Sequence, residues 1–169
     1  MLQQSNKCLV HYTKETYGDS FGTDLLEQYK MYVQSAENVS ARRVASSRYL
    51  LTLNIALVTL YGIQSEGFVQ SYWTMLIPIL GIPVSLLWYQ IIQSHSDLNT
   101  VKFKIIHQLE EHLPVALYAH EWQLAGEGRG TSYSAVTHIE KWIPRAFIVL
   151  HSILFISPFW VKRGRDFLV

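Results

Sequence analysis

The apolar residues of the chain are concentrated in three long stretches that contain no Asp, Glu or Lys. They run over 49–63, 68–92 and 142–161. The second and third are long enough to cross a hydrocarbon core of about 30 Å as helices. The first stretch alone would form a helix of about 22 Å, which is too short to cross. It spans the core only if residues 44–47 are added and the Arg48 side chain extends to the membrane surface. The pattern therefore predicts an all-α integral membrane protein with three transmembrane helices.

The alternative for these stretches is a soluble bundle of buried helices. A helix that faces water carries polar residues at every third or fourth position, whereas Leu50 to Ile63 offers only Thr and Asn. Large aromatic residues near the ends of the stretches also match the aromatic belts of membrane proteins. These residues are Tyr49, Tyr61, Tyr72, Trp73, Trp88, Tyr89, Trp142 and Trp160. The first stretch begins too far from Met1 to be a signal peptide.

The distribution of positive charge predicts how the chain is oriented. Lys and Arg accumulate before the first stretch and between the second and third, but the 64–67 turn has none. Because positive residues mark the cytoplasmic side, we expect a cytoplasmic N-terminus in a bacterial inner membrane. The basic tail 162–169 then falls outside, against this rule. Either the third stretch crosses as an exception, which we favour, or Pro144 and Pro158 permit a kinked or re-entrant path.

Outside the predicted spans, the pattern indicates a helical cytoplasmic cap. Residues 1–22 read as a mobile start, and 23–45 as an amphipathic helix begun by Asp24 or Thr23. No Gly or Pro separates that helix from the transmembrane hairpin 46–92, so the two are expected to form one continuous helix up to Tyr61. Residues 93–141 form a cytoplasmic helical segment, which either continues the second span or restarts near residues 94–96. A shorter helix follows around 115–124.

Composition supports a single membrane domain and excludes several classes of protein. The chain is 49% hydrophobic and 16% charged, with a net charge of +1. This balance excludes a disordered chain and a nucleic-acid binder that acts by charge alone. The lone Cys8 excludes an internal disulfide framework. Because so small a cap buries little surface by itself, we expect a homo-oligomeric ring.

Three segments outside the spans are similar to a known family. They are EQYKMYVQSAENVSARR at 27–43, LNTVKFKIIHQLEEHLPVALYAHEW at 98–122 and THIEKWIP at 137–144. Together they resemble the RipA-family octameric membrane proteins of bacterial inner membranes. The resemblance implies an oligomeric assembly of four to eight subunits with a cytoplasmic helical domain. It also implies a role as the membrane effector of a Hailong-type antiphage system, in which a nucleotidyltransferase makes an oligonucleotide that controls a channel.

Catalytic motifs are lacking, so the sequence predicts no enzyme and no cofactor. Four histidines accompany glutamates in the cytoplasmic segment. His107 and Glu111 are four residues apart and share a helix face, but a metal site needs three or four converging ligands. The Gly-rich GEGRG loop lacks the Lys-Ser/Thr of a phosphate-binding loop. A membrane metalloenzyme that uses His107 and Glu111 is therefore the third hypothesis only.

Polar residues inside the predicted spans are the candidates for a pore lining or gate. Ser47, Asn54 and Tyr61 are seven residues apart and lie on one face of the first span, and His151 is central in the third. Because polar groups are costly in lipid, they mark functional positions. The alternative for Asn54 is a hydrogen bond across a helix interface.

Basic residues beside the spans are the candidates for ligand binding. They are Arg42, Arg43, Arg48, Lys102 and Lys104. Their ordinary role is to anchor the cytoplasmic side of the membrane. In a ring of subunits, however, they would be multiplied around one axis and could bind an anionic ligand such as a short oligonucleotide.

The leading hypothesis is a non-enzymatic oligomer that forms or gates a pore under the control of a cytoplasmic ligand or partner. The alternative is a non-conducting scaffold that anchors a cytoplasmic partner. In that case Asn54→Leu would be harmless, and changes on the apolar stripe from Leu25 to Val39 would abolish function.

Overall fold

The computed structural model describes the backbone of residues 9–65, 72–126 and 139–166, and side chains within 9–63, 75–126 and 139–157. Over these residues the protein is helical and contains no strand. The fold class predicted from the sequence is thus confirmed as all-α. The helices of the described residues are α1 (Lys14–Tyr17), α2 (Phe21–Ser65), α3 (Tyr72–Glu110), α4 (Leu117–Leu124) and α5 (Trp142–Asp166).

The chain divides into two compact units, and α2 and α3 each contribute to both. Unit 1 comprises residues 1–40 and 97–134, and unit 2 comprises 41–96 and 135–169. This division follows the sequence pattern, since the charged residues of α2 and α3 are concentrated in unit 1 and their apolar residues in unit 2.

In unit 1, the first half of α2 packs antiparallel to the last part of α3. Three hydrogen bonds join the two helices, and as the residue numbers increase along α2 those of the partners on α3 decrease. The pairs are Tyr29 with Glu110 at 2.9 Å, Ser35 with Lys102 at 2.7 Å, and Ser40 with Asn99 at 3.4 Å. The buried apolar residues of this unit are Leu25, Ala36, Ile106 and Leu109. The small side chain of Ala36 suits a position where two helices lie close together.

Unit 2 is built from the rest of α2, the first part of α3 and α5. Its buried apolar cluster consists of Leu50, Trp88 and Ile92. Phe147 of α5 packs against this cluster, with its ring centroid 6.1 Å from that of Trp88. Such a cluster fixes how the three helices face one another, and it buries only a small part of their apolar surface.

Most apolar surface of the long helices is not covered by the chain itself. The most apolar window of α2 is 11% buried and that of α3 is 28% buried, and both helices are long and apolar enough to cross a membrane. A core helix of a soluble protein would be mostly buried, so the soluble-bundle alternative does not fit. In α5 the stretch Trp142–Ser157 is apolar but shorter. The predicted third crossing therefore stays a prediction.

The structure changes some of the predicted element bounds. Helix α2 begins at Phe21, before the predicted start at Thr23 or Asp24, and the predicted mobile start contains the helical turn α1. The reason is local aromatic packing, because Tyr17 contacts Phe21 at 6.0 Å between centroids and donates a hydrogen bond to Asp24. Of the two alternatives for 94–96, the structure shows the continuous helix.

Several predicted features lie outside the described residues. These are the first eight residues, the last two residues of the 64–67 turn and the core of the Gly-rich loop. The predicted short helix at 115–124 is present as α4, which begins two residues later because Val115 and Ala116, after Pro114, are not helical.

Candidate functional site

Three polar side chains meet in the interior of unit 2, one from each of its helices. Asn54 lies on α2, Ser85 on α3 and His151 on α5, and each residue is 0% exposed. Apolar residues dominate the surrounding sequence of all three helices. Because buried polar groups are costly without partners, such a cluster must be held together by its own hydrogen bonds.

Asn54 is the centre of this hydrogen-bond network. Its Nδ2 donates to the Leu50 carbonyl at 2.8 Å, which fixes the orientation of the amide and turns Oδ1 towards the other two helices. There Oδ1 lies 2.7 Å from Ser85 Oγ and 3.2 Å from His151 Nε2. Ser85 Oγ also lies 2.8 Å from the Gly81 carbonyl, and its single proton serves one acceptor or the other.

His151 has one satisfied and one unsatisfied ring nitrogen. Since Asn54 Oδ1 can only accept, the contact with it places the imidazole proton on Nε2. The other nitrogen, Nδ1, is buried and has no hydrogen-bond partner among the described residues. A proton added to Nδ1 would create a buried cation whose new N–H has no described acceptor. The cluster thus favours a neutral histidine in this arrangement.

Gly81 makes the close approach of His151 possible. A Cβ built on Gly81 would fall on the imidazole ring of His151. Position 81 therefore requires glycine for a packing reason, since any side chain there would displace the ring. The second span and α5 are therefore closely packed at Gly81.

The predicted pore-lining residues all lie on one face of α2 or opposite it on α5, and they contact other helices of the same chain. Trp88 Nε1 donates to Ser47 Oγ at 3.3 Å, and the Tyr61 hydroxyl lies 3.0 Å from the Leu154 carbonyl. For Asn54, the structure shows the helix-interface hydrogen bond that was the alternative. A pore-lining role for these residues stays a prediction.

The predicted ligand-binding residues do not form one cluster within a chain. Arg42 and Arg48 are exposed, whereas Arg43 is half-buried and forms an ion pair with Glu140 at 3.4 Å. In unit 1, Lys102 donates to Ser35 and lies 4.6 Å from the centroid of the Tyr32 ring, while Lys104 is exposed. Because successive residues of a helix turn by about 100°, the three arginines leave α2 in different directions.

Sequence reasoning missed the structural role of Glu110. This residue is buried, and it ends α3. Its carboxylate accepts hydrogen bonds from the backbone N–H groups of Tyr118 and Ala119 and from the Tyr29 hydroxyl, each at 2.9 Å. It therefore caps the start of α4 from a distance. The available signal was the sequence Val115-Ala116 before α4, which offers no capping side chain of its own.

The pair formed by Tyr29 and Glu110 is also electrostatically distinctive. Burial, followed by the hydrogen bond to the Glu110 carboxylate, raises the pKa of Tyr29 above its ordinary value. The phenol is thus held as a neutral donor to a buried carboxylate.

The metalloenzyme hypothesis requires several metal-ligating side chains in one place. No three His, Cys, Asp or Glu side chains come together within the part of the chain that the structure describes.

Comparison with known proteins identifies the family. The model of the octameric membrane protein family (8xMP) matches residues 26–160, which is most of the chain. The chain belongs to this family. No curated protein and no solved structure matched the chain. The resemblance inferred from the sequence is thereby confirmed, and its link to Hailong-type systems stays a prediction.

Family membership explains why this octameric membrane protein leaves so much apolar surface uncovered. Lipid and neighbouring subunits together cover what the single chain does not. The protein is therefore a membrane protein that forms homo-oligomers, as the sequence predicted. The candidate site is then a polar cluster between helices that are otherwise suited to lipid.

Proposed function

We propose that this octameric membrane protein forms or gates a pore under the control of a cytoplasmic ligand or partner. The observation that carries the proposal is the buried cluster of Asn54, Ser85 and His151. A passive anchor has no need of three polar side chains between its apolar helices, and intramembrane polar residues are functional candidates by default. The proposed activity involves no catalytic step.

The cluster has the properties of an element with more than one arrangement. Ser85 has two acceptors for one proton, and His151 leaves Nδ1 unsatisfied. Each of the three helices supplies one member, so a movement of any helix would exchange these hydrogen bonds. A change of this kind requires two packed states that differ by a few kcal/mol, which is the usual basis of gating.

The ligand proposed to control the pore is anionic. Arg42, Arg48 and Lys104 are exposed and have no described side-chain partner, so they are available for binding. In an octamer, Arg42 and Arg48 of each subunit would supply two cationic groups each time, or sixteen in the whole assembly. A short oligonucleotide carries closely spaced phosphates that such an array would recognise.

We further propose an inner-membrane location with a cytoplasmic N-terminus and a role as an antiphage effector.

Liposome flux measurements test the pore directly. Purified octamer is reconstituted into vesicles that contain a fluorescent ion reporter, with and without short oligonucleotides. The expected result is ion flux that Asn54→Leu changes at least tenfold in either direction. Thr59→Val is the matched control, because Thr59 is exposed and its hydroxyl only donates to the Ile55 carbonyl of its own helix. Absence of flux under every condition would refute the proposal.

Oligonucleotide binding is tested separately from flux. The variant Arg42→Gln/Arg48→Gln is expected to weaken oligonucleotide binding and to reduce its dependence on salt, because fewer counterions are released. Lys14→Gln is a control that removes an exposed cation far along the chain from this array. Equal binding by both variants would reject these arginines as the ligand site and leave the pore proposal standing.

The second candidate function is a non-conducting scaffold for a cytoplasmic partner. The observation that favours it is the exposure of Leu26 and Met31 on the part of α2 that belongs to unit 1. Under this alternative, Leu26→Ser/Met31→Ser abolishes function in cells and Asn54→Leu does not. Under the pore proposal, Asn54→Leu changes function in cells even when partner binding is intact.

A further inference from the structure

Helix α4 carries an apolar face that no described residue of the chain covers. Leu117 is 67% exposed and Leu124 is 76% exposed. They are seven residues apart and so lie on the same side of the helix. His120 and Glu121, which are also exposed, lie between them on that side. These four residues are called the α4 face below.

The rest of the helix is fixed to unit 1, which gives the α4 face a defined direction. Helix α4 has no buried residue, and an eight-residue helix is marginal in water by itself. It is held by the Glu110 carboxylate at its first turn and by a contact of 5.8 Å between the ring centroids of Phe103 and Tyr118. Since Tyr118 turns inward, the opposite side of the helix projects outward.

We propose that the α4 face packs against the same face of a second copy of this chain, in a two-fold contact within the octamer. Every subunit of an octamer must bury surface on its neighbours, and interfaces commonly combine an apolar centre with a polar surround. The α4 face offers two exposed leucines beside one imidazole and one carboxylate. His120 of one copy and Glu121 of another can then pair beside the leucines. The inference depends on family membership and is independent of the pore proposal.

The charge of the segment disfavours a lipid surface as the occupant. Residues 111–126 contain no Lys or Arg, while Glu111 and Glu121 are acidic. Helices that lie on membranes typically carry basic residues on their polar side, because many membrane surfaces are anionic. Helix α4 is also only about 12 Å long, far too short to cross a hydrocarbon core. A protein neighbour fits these properties better.

The first test measures the size of the purified particle by native mass spectrometry. Leu117→Lys/Leu124→Lys is expected to lower the octamer fraction roughly tenfold or more at equal protein concentration, with smaller species appearing instead. Gln123→Lys is the matched control, because Gln123 is exposed on the same helix but points about 100° away from Leu124. An intact octamer in the double variant would overturn the proposal.

The second test detects proximity without disturbing the fold. Cys8 is the single cysteine, so a Cys8→Ser chain with Leu124→Cys can be cross-linked only between two copies. A short bismaleimide is expected to yield a covalent dimer in native membranes at least five times faster than with Gln123→Cys. Equal rates for the two positions would overturn the proposal. The proposal would also be overturned if lipid vesicles protected the Leu124→Cys thiol from reaction with maleimide while no cross-linked dimer formed. That result would indicate that the α4 face binds the membrane.

Discussion

The substitution Gly81→Ala should destabilise the protein, although alanine is the better helix former. In an unobstructed helix the change stabilises by about 1 kcal/mol. At position 81, however, the new Cβ falls on the His151 ring, so the imidazole must leave its place. Overpacking typically costs about 1–3 kcal/mol, and losing the bond between His151 and Asn54 costs about 1 kcal/mol more. Less the gain of about 1 kcal/mol from helix propensity, the net expectation is destabilisation by about 1–3 kcal/mol.

The chain supplies a matched control for this prediction. Gly62 is also within a helix, but a Cβ built there meets nothing within 4 Å. Gly62→Ala should therefore be neutral or stabilising, so the same substitution has opposite signs at the two positions. The assay is thermal unfolding of the detergent-purified octamer, monitored by loss of the octamer peak in size-exclusion chromatography. For a domain of this size, about 1–3 kcal/mol corresponds to a Tm lower by roughly 2–12 °C.

A double-mutant cycle identifies the cause of the loss. His151→Ala removes the ring, so Gly81→Ala added to that background should cost much less than it does in the wild type. Two results would refute the reasoning. One is a Tm of Gly81→Ala at or above the wild-type value, and the other is an equal loss with and without the His151 ring.

Three further predictions follow from the hydrogen bonds outside and beside the candidate site. Glu110→Ala removes the cap of α4, and a loss of about 2 kcal/mol should speed amide hydrogen exchange in that helix roughly 30-fold. Glu111→Ala, at an exposed position, is the control and should leave the exchange rate unchanged. Equal exchange rates in the two variants would contradict the capping role. The pKa of Tyr29 in the folded protein is raised above its value in the unfolded chain. Its contribution to folding stability is therefore complete below about pH 10 and is lost as the pH rises further. Tyr29→Phe should flatten this alkaline loss of stability in thermal scans from about pH 8 to 11, and an unchanged pH profile would contradict the prediction. Tyr61→Phe deletes the hydroxyl beside the Leu154 carbonyl and should lower stability by about 1 kcal/mol, measured as Tm.

The contrast between Asn54 and Glu110 illustrates what sequence reasoning can reach. Asn54 was identified because an amide in an apolar stretch is conspicuous, and its possible hydrogen bond across a helix interface was also foreseen. Glu110 was missed because glutamate is ordinary in a charged, amphipathic segment. Its significance depends on the turn after α3, which returns α4 so that two backbone N–H groups meet the carboxylate. That meeting has no signature in residue spacing.

The arginines show a second limit of the linear pattern. Arg42, Arg43 and Arg48 form a dense basic group in the sequence, which suggested a shared site. In the structure they leave the helix in different directions, and Arg43 is paired with Glu140 from a distant part of the chain. Density along the sequence therefore does not by itself predict a single binding surface within one chain, and binding by these arginines stays a prediction.

The sequence by itself determined the helical class, the membrane-suited stretches, the short helix α4 and the family. Each of these depends on the periodicity or composition of a continuous segment, which is set by local geometry and by burial in lipid. Only the tertiary structure decided which polar groups meet. The cluster of Asn54, Ser85 and His151, the space that Gly81 leaves for the imidazole and the distant cap from Glu110 each join residues far apart in the chain. Their energies depend on distances of a few ångströms between helices, and these distances are fixed by the packing inside each unit.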